Sequence, residues 1–145
     1  MIRQAALADL DTLTAFIPGI MAETSYCGLA FDLNRARAFI EEMITENRYV
    51  AVIEKDGEII GGMVGDLYQP WYSTDFIGIE HSIYVLPAHR NGRYSLQLIK
   101  CFIDWCRENG AKQIRPGIAS GNWQVNRLYQ AIGFTPVGAN FLMEL

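Results

Sequence analysis

Two arginines and a glycine lie close together in the stretch Arg90-Asn91-Gly92-Arg93, directly before a long apolar run with helix-forming composition. The start of a helix leaves unpaired N–H groups with partial positive charge, and a glycine allows an anionic ligand to approach them closely. Arg90 and Arg93 add two fixed positive charges at the same place. This combination suits a pyrophosphate. An ordinary surface turn between a strand and a helix would also accommodate one glycine and two arginines.

The residues on either side of this loop predict the elements that must position it. Residues 83–85 are β-branched and aromatic, which favours a strand, and Pro87 cannot donate to a sheet ladder, so strand pairing should stop there. A long helix should begin near Gly92 and end at Asn109-Gly110, where glycine can adopt the left-handed cap. The sequence therefore predicts a strand, a phosphate loop and a helix in succession.

Two segments of the chain carry a family resemblance. The first is Val85-x-Pro87-x-x-Arg90-Asn91-Gly92-Arg93-Tyr94-Ser95, and the second is Asn122 followed by Leu128-Tyr129 and Gly133-Phe134, with seven residues from Asn to Tyr. In this order they resemble the acetyl-CoA loop and the later Asn…Leu-Tyr…Gly-Phe segment of the GNAT superfamily of N-acetyltransferases. The loop departs from the family pattern, which has small residues at the positions of Arg93 and Ser95.

The resemblance implies how acetyl-CoA would be held as the acyl donor. Backbone N–H and C=O groups of the central strand, at Ile83 and Val85, would pair with the pantetheine arm like an added strand. Asn122 matches a cofactor-contacting asparagine of the family, and it is equally a plausible helix cap. The residues that would hold the phosphates are Arg90, Asn91, Gly92, Arg93, Tyr94 and Ser95.

The resemblance also assigns Tyr129 the role of general acid. The leaving thiolate needs a proton, and a free thiol has a pKa of about 8.5 against about 10 for tyrosine, so donation between nearly matched groups is feasible. A tyrosine beside Leu128 on a helix is otherwise ordinary core packing. The family motif around Tyr129 favours the catalytic interpretation.

An amine acceptor arrives as an ammonium ion and must lose a proton before it can attack, so a base is needed beside the thioester. In the family, residues upstream of Val85 on the central strand supply it, which makes Glu80 and His81 the candidates. Strand alternation puts His81 on the face of Ile83 and Val85, and Glu80 on the other face. A bulge near Gly78 would exchange the two.

Length, composition and charge restrict the class of protein. A chain of 145 residues is the size of one domain, and half of its residues are apolar, so a sizeable core is expected. The net charge of −4, without a dense basic run, argues against nucleic acid as a partner. An acidic protein weakly favours a cationic acceptor.

The cysteines and the N-terminus indicate the compartment. Cys27, Cys101 and Cys106 form no C-x-x-C pair and no histidine cluster accompanies them, so neither a metal site nor a disulfide framework is expected. No run approaches the ~20 apolar residues needed to cross a bilayer, and no signal core precedes the domain. We expect a soluble, cytoplasmic protein that does not interact with membranes.

The first half of the chain predicts alternating helices and strands. A strand at 2–5 precedes a helix that Pro18-Gly19 should weaken or end, and 21–31 lacks periodicity. This break is either a plain loop or the acceptor-recognition segment that the resemblance would place there. Asp32 or Asn34 should cap a second helix that buries Phe39, Ile40, Met43 and Ile44.

The strands that follow predict the sheet. Residues 49–54 and 58–65 flank Asp56-Gly57, a strong signal for a hairpin turn. After an aromatic loop at 68–75, which either faces the acceptor or plugs a sheet end, come strands at 76–86 and 112–118, with a helix between them. A short helix should run from Asn122 to Ile132, closed by Gly133, and two last strands should occupy 134–137 and 141–145.

These elements predict one α/β domain over residues 1–145, with a mixed, mostly antiparallel sheet and helices on both faces. The resemblance implies an acetyl-CoA-dependent N-acetyltransferase that acts on a small-molecule amine or a protein amino group by direct attack, without a metal, and it allows a homodimer. The main alternative is an acyl-CoA binding or sensing module of the same fold without turnover. A third interpretation is a regulatory partner protein that uses the aromatic loop near Trp71 as its interface.

Overall fold

The computed structural model describes residues 1–91, 93–121 and 123–145, with the backbone alone for Trp123. The described chain contains five strands and five helices, with short 3₁₀ turns at Leu7–Asp9 and Pro87–His89. The strands are β1 (Ile2–Gln4), β2 (Tyr49–Lys55), β3 (Glu58–Tyr68), β4 (Phe76–Val85) and β5 (Ala111–Arg115). The helices are α1 (Leu10–Ala15), α2 (Ile17–Ala22), α3 (Leu33–Thr45), α4 (Arg93–Glu108) and α5 (Trp123–Ile132).

The strands form one sheet in chain order, β1 to β5. The first three pairings are antiparallel and the last, between β4 and β5, is parallel. The parallel pairing follows from α4, because strands joined by a crossover helix run in the same direction. The predicted mixed, mostly antiparallel sheet is confirmed.

Helices cover both faces of the sheet, as predicted. On one face, α1 and α3 pack Leu10, Leu13, Ile40 and Met43 against inward side chains of β2 and β3. On the other face, α4 buries Leu98, Phe102 and Cys106 against alternate residues of the same strands and against Val85. Alternation along the strands supplies an apolar side chain to each layer in turn.

Local turn and cap chemistry confirms several predictions. Asp56 and Gly57 both have positive φ, 53° and 83°, in the tight turn between β2 and β3. Asp32 caps α3 by accepting a hydrogen bond from the Arg35 N–H at 2.9 Å. Gly110 and Gly133 follow α4 and α5 with φ of 80° and 116°.

The predictions for the first two helices need correction in detail. The break between α1 and α2 falls at Phe16, and Pro18 is tolerated at the second position of α2, where no intrahelical N–H bond is lost. Phe39 was predicted to be buried with Ile40 and Met43, but its side chain is 41% exposed. Its ring instead lies edge-on to His81, with centroids 5.1 Å apart.

The predicted strands at the C-terminal end are wrong. β5 stops at Arg115 because Pro116 has no N–H to continue a ladder, so the strand does not reach residue 118. Residues 134–145 form no strand. Val137 and Phe141 are 80% and 97% exposed, so no neighbouring element holds either segment in a pleated conformation.

Candidate active site

β4 and β5 separate part-way along their length. Their ladder extends from Phe76 opposite Ala111 to Ile79 opposite Arg115. Beyond this point β4 continues to Val85, whereas β5 has ended, so in the part of the chain that the structure describes residues 80–85 have no strand on that side. An unpaired strand edge presents backbone N–H and C=O groups that can bond an extended ligand. The opening is therefore suited to a flexible, amide-containing chain.

A β-bulge in β4 sets the direction of two adjacent side chains. Ser82 pairs with Val64, but the next residue along β3, Gly65, pairs with Glu80, so His81 is an extra residue in the ladder. A bulge reverses the alternation on one side of itself. The prediction that His81 shares a face with Ile83 and Val85 is therefore wrong. The exchange anticipated from a bulge near Gly78 does occur, at His81.

The bulge brings Glu80 to Tyr129. The Tyr129 hydroxyl donates a hydrogen bond of 2.5 Å to Oε2 of Glu80, across 49 positions of sequence. Tyr129 is 6% exposed and lies edge-on to Phe134, with centroids 5.3 Å apart. The chain closes α5 at this point, because the Phe134 N–H donates to the Tyr129 carbonyl at 3.0 Å after the left-handed turn at Gly133. The Tyr129 side chain is thus held by Glu80 at its hydroxyl and by Phe134 at its ring.

Burial raises the pKa of both members of this pair. Desolvation raises the pKa of Glu80, and the hydrogen bond from Tyr129 opposes that effect only in part. Desolvation also raises the pKa of Tyr129, and the adjacent Glu80 carboxylate raises it further. Tyr129 is consequently a protonated phenol at neutral pH, and Glu80 is a stronger base than an exposed glutamate.

His81 lies on the other face of the sheet, against Phe39 of α3. Desolvation lowers the pKa of His81, and the Asp66 carboxylate partly offsets it. An imidazole with a lowered pKa is neutral at pH 7 and could accept a proton. The structure, however, brings Glu80 and not His81 to Tyr129.

Arg90 is held beside the open edge of β4. Its Nε donates to the Val85 carbonyl at 2.7 Å, and its Nη2 lies 2.9 Å from Oε2 of Glu23. The guanidinium also lies over the Tyr84 ring, 5.2 Å from the centroid. The predicted phosphate-loop arginine therefore already has an anionic partner and a backbone partner of its own.

The other loop residues are arranged around the start of α4. The Asn91 side chain accepts a hydrogen bond from the Arg93 N–H at 3.1 Å, which satisfies one of the free donors of the helix. Arg93 is exposed, and Tyr94 and Ser95 are partly buried. Gly92 and Asn122, both predicted to contact the donor, lie outside the described residues.

Sequence reasoning did not find the partners of Arg90. Glu23 precedes it by 67 positions, in the aperiodic segment that was an acceptor-recognition candidate. Tyr84 was part of the strand pattern alone. No signal in the sequence connects either residue to Arg90, because the contact depends on where α2 ends relative to β4.

The sequence of the chain matches that of a known protein family. The model of the acetyltransferase (GNAT) family matches residues 20–134, most of the chain. The chain belongs to the GNAT acetyltransferase family. The family resemblance inferred from the two sequence motifs is thereby confirmed.

Two curated relatives of this GNAT domain act on amino acids or their analogues, according to their names. The L-methionine sulfoximine/L-methionine sulfone acetyltransferase of Salmonella typhimurium is 36% identical over 89 residues, which are 59% of this chain and 50% of the relative. The L-amino acid N-acyltransferase MnaT of Escherichia coli is 31% identical over 106 residues, 71% of this chain and 59% of the relative. The matched region thus spans between a half and three-fifths of these relatives.

Solved structures share the fold over almost the whole GNAT domain. A ribosomal-protein-alanine N-acetyltransferase from Brucella melitensis has a TM-score of 0.80 at 25% identity, covering 95% of this chain and 86% of the other. A predicted acetyltransferase from Clostridium acetobutylicum, solved with acetyl-CoA, has a TM-score of 0.79 at 14% identity, covering 99% and 95%. The second likeness concerns the fold alone.

The described ranges lack two features that would indicate other functions. Within residues 1–91, 93–121 and 123–145, no helix is long and apolar enough to traverse a lipid bilayer. Over the same ranges, no three histidine, cysteine or acidic side chains come together in a group that could bind a metal ion.

Proposed function

We propose that this protein is an N-acetyltransferase that moves the acetyl group of acetyl-CoA to a primary amine by direct attack. The observation that carries the proposal is the 2.5 Å hydrogen bond between Tyr129 and Glu80, at the level where β4 and β5 separate. It joins a proton donor and a proton acceptor beside an unpaired strand edge, in a member of an acetyltransferase family.

The donor binds along β4 in this proposal. The pantetheine arm pairs with the backbone between Ile83 and Val85, and the diphosphate lies at the loop that contains Arg90 and Arg93. Glu80 lies five positions before Val85 along β4, or roughly 16 Å at the usual rise. An extended arm that starts at the phosphate loop therefore delivers its thioester toward Tyr129 and Glu80.

The reaction removes two protons from the acceptor nitrogen and adds one to the sulfur, and the pair of side chains carries the proton that ends on sulfur. Glu80 takes a proton from the acceptor ammonium, directly or through a water molecule, and the free amine attacks the thioester carbonyl. The tetrahedral intermediate, stabilised by strand N–H groups, then expels the thiolate. Tyr129 gives its proton to the sulfur and regains one from Glu80. The first proton removed from nitrogen thus ends on sulfur, the second is released to water as the amide forms, and both side chains return to their initial state.

The hydrogen bond between Tyr129 and Glu80 makes protonation of the leaving thiolate more favourable. A buried tyrosine with a raised pKa is by itself a poor donor to a thiolate, whose conjugate thiol has a reference pKa of about 8.5. When Glu80 supplies its proton to Tyr129 at the same time, the net transfer is from a carboxylic acid to a thiolate. The reference pKa of a carboxylic acid, about 4.3, lies below that of a thiol, about 8.5, and this difference favours the net transfer.

We propose a free L-amino acid, or an amino acid analogue such as L-methionine sulfone, as the acceptor. The proposal is supported by the names of the two curated relatives, which are 36% and 31% identical over the matched residues.

The test is release of free CoA from acetyl-CoA in the presence of a panel of amines. The panel contains L-methionine sulfoximine, L-methionine sulfone, several L-amino acids, a polyamine and a peptide with a free N-terminal amine. N-acetylated product is detected by mass spectrometry, because the exposed Cys27 and Cys101 would react with thiol reagents. N-acetyl-L-methionine, whose amine is blocked, is the matched control. Absence of amine-dependent product across the panel would contradict the proposed reaction and favour the alternative, an acyl-CoA binding module without turnover.

A further inference from the structure

A cavity of about 200 Å³ lies between β4, β5 and the loop that precedes β4, on the face of the sheet away from α4. Ile114 of β5 packs against the apolar cluster under α4, so alternation points its neighbours Gln113 and Arg115 to the opposite face. Both line the cavity, together with Ile77 of β4. The cavity therefore lies on the same face as α1 and α3, beyond the strands that these helices cover.

The loop between β3 and β4 forms one wall of the cavity and is held by its own hydrogen bonds. The Ser73 N–H donates to the Pro70 carbonyl at 3.0 Å, and the Gln69 side-chain amide donates to the Thr74 carbonyl at 2.9 Å. Pro70 and Tyr72 line the cavity, and Tyr72 is 75% exposed. The loop thus presents an apolar surface that a small solute can reach.

Arg115 lies at the end of the cavity nearest the acid–base pair. It is the register partner of Ile79, the last residue of β4 that pairs with β5, and Glu80 is next along β4. Its Nε donates to Oε1 of Gln113 at 3.0 Å, which orients the guanidinium. None of the ion pairs in the described part of the chain involves Arg115. An oriented guanidinium of this kind can bind a carboxylate through two parallel hydrogen bonds.

The other charged side chains of the cavity lie at its far end and offset each other. Asp75 directly precedes β4 and Lys112 is the second residue of β5, and the first residues of these two strands pair. A carboxylate and an ammonium group at one level of the sheet largely cancel at a distance. Asp75 is four positions before Ile79, or roughly 13 Å along an extended strand. The uncompensated positive charge of the cavity is therefore that of Arg115.

We propose that this cavity binds the acceptor, and that Arg115 holds the carboxylate of an α-amino acid in it. The inference rests on the proposed function, because it assigns the acceptor site of the same reaction. The carboxylate and the amine of an α-amino acid share one carbon atom, so a carboxylate on Arg115 places the amine at the level of Ile79. The strands separate directly beyond that level, and the amine passes between them toward the thioester and Glu80.

The rest of the cavity accommodates the acceptor side chain. It extends from Arg115 away from the opening, along the apolar surfaces of Pro70, Tyr72 and Ile77. The volume of about 200 Å³ is below the range that drug-sized ligands occupy, which suits a single amino acid. A polyamine has no carboxylate for Arg115, and its charges are repelled there. The cavity thus favours a free amino acid with an apolar side chain of moderate length.

The test compares L-methionine with L-methioninamide, which has the same amine and side chain but a neutral amide in place of the carboxylate. Dissociation constants are measured by NMR titration of the protein with coenzyme A bound. We expect wild type to prefer L-methionine about three- to tenfold, the effect of one charge-assisted contact. Arg115→Met should lose this preference. Arg115→Lys should retain part of it, because lysine keeps the charge and lacks the fork.

Two further variants separate a local contact from a general effect. Lys100→Met is the matched control, because Lys100 is exposed on α4 and its loss changes the net charge by the same amount. It should retain the preference for L-methionine. Tyr72→Ala should weaken L-methionine several-fold and leave glycine unchanged, because glycine has no side chain to contact Tyr72. Thermal unfolding shows that each variant is folded.

The inference is overturned if wild type binds L-methionine and L-methioninamide equally, or if Arg115→Met retains the preference. It is also overturned if Lys100→Met loses the preference, or if Tyr72→Ala weakens glycine as much as L-methionine. Coenzyme A carries no acetyl group, so the titrations need no turnover. Failure of the proposed reaction would therefore appear as absence of product in the amine panel, and failure of this inference in the ratio of dissociation constants.

Discussion

Tyr129 and Glu80 are 49 positions apart in sequence and 2.5 Å apart in space, joined from the phenol oxygen to Oε2 of the carboxylate. The contact crosses from α5 to the bulged part of β4, and it exists only because His81 is an extra residue in the ladder between β3 and β4. A helix and a strand that form independently thus complete one acid–base pair.

Replacing Tyr129 by Phe removes the proposed acid and retains the ring. We expect the rate constant for acetyl transfer to fall about 10²- to 10⁴-fold, the usual contribution of general acid catalysis. The affinity for coenzyme A should be unchanged, since the lost hydroxyl bonds Glu80 and not the strand edge. Single-turnover rates and calorimetry measure the two quantities separately. A proportional loss of binding would instead identify Tyr129 as a packing residue.

The two candidate bases can be separated by comparing Glu80→Gln with His81→Asn. The Glu80 variant should lose most of its turnover, because the amide cannot take a proton from the ammonium ion. The His81 variant should retain most of it, since that ring lies against Phe39 on the other face. Rates are compared at saturating donor between pH 6 and 9. Greater loss in the His81 variant would reverse the assignment.

Glu80 should also make stability depend on pH. Its pKa is raised in the folded protein, so the folded state binds this proton more tightly than the unfolded state does. The contribution of Glu80 to the free energy of unfolding is therefore lost as pH rises from the unfolded value of about 4.3 through the raised pKa. Relative to wild type, Glu80→Gln should gain stability over that interval. Urea titrations from pH 4 to 8 test this, and a constant difference would contradict it.

Gly65 should not tolerate even a methyl group. A Cβ there would lie 2.5 Å from the Phe102 ring, which is 1% exposed and has no room to move. We expect Gly65→Ala to lower the free energy of unfolding by about 1–3 kcal/mol, the usual cost of overpacking. Gly117→Ala, where a Cβ meets nothing within 4 Å, is the matched control and should cost less than about 0.5 kcal/mol. Equal effects in urea unfolding would disprove the steric argument.

The cap of α3 allows a test between two residues that the sequence left as alternatives. Asp32 accepts the Arg35 N–H, so Asp32→Ala should cost about 1 kcal/mol of stability. Asn34 lies inside the helix and is exposed, and alanine has a higher helix propensity, so Asn34→Ala should be neutral or slightly stabilising. Chemical denaturation gives the free energy of unfolding of both variants. A larger loss of stability in Asn34→Ala than in Asp32→Ala would refute the assignment of Asp32 as the cap.

Features with local causes could be predicted from the sequence. The hairpin turn at Asp56-Gly57 and the glycine caps after α4 and α5 each depend on a few adjacent residues, and the structure confirms them. Tyr129 was identified by its family motif. The two C-terminal strands were not predictable in the same way, because a strand needs a neighbour to pair with and a five-residue apolar segment does not specify one.

The arrangement of the site depends on how distant elements align with one another, such as the register between β3 and β4. The residue pattern of a single element does not contain this information. Simple alternation put His81 toward α4, and only the pairing of β4 with β3 reveals the extra residue. The contact of Arg90 with Glu23 similarly depends on α2 ending beside β4 after the break at Phe16. In both cases the residue types were visible in the sequence and their partners were not.

The extra residue in β4 has a consequence for comparing this protein with its relatives. An alignment that conserves spacing along the chain would match His81 with the inward-facing residue of a relative that has a regular strand, and would assign Glu80 to the opposite side. Equivalence at this position follows hydrogen-bond registration with β3 rather than residue count. A homologue that lacked one residue here could therefore retain the same chemistry, although a different residue type would be aligned with Glu80.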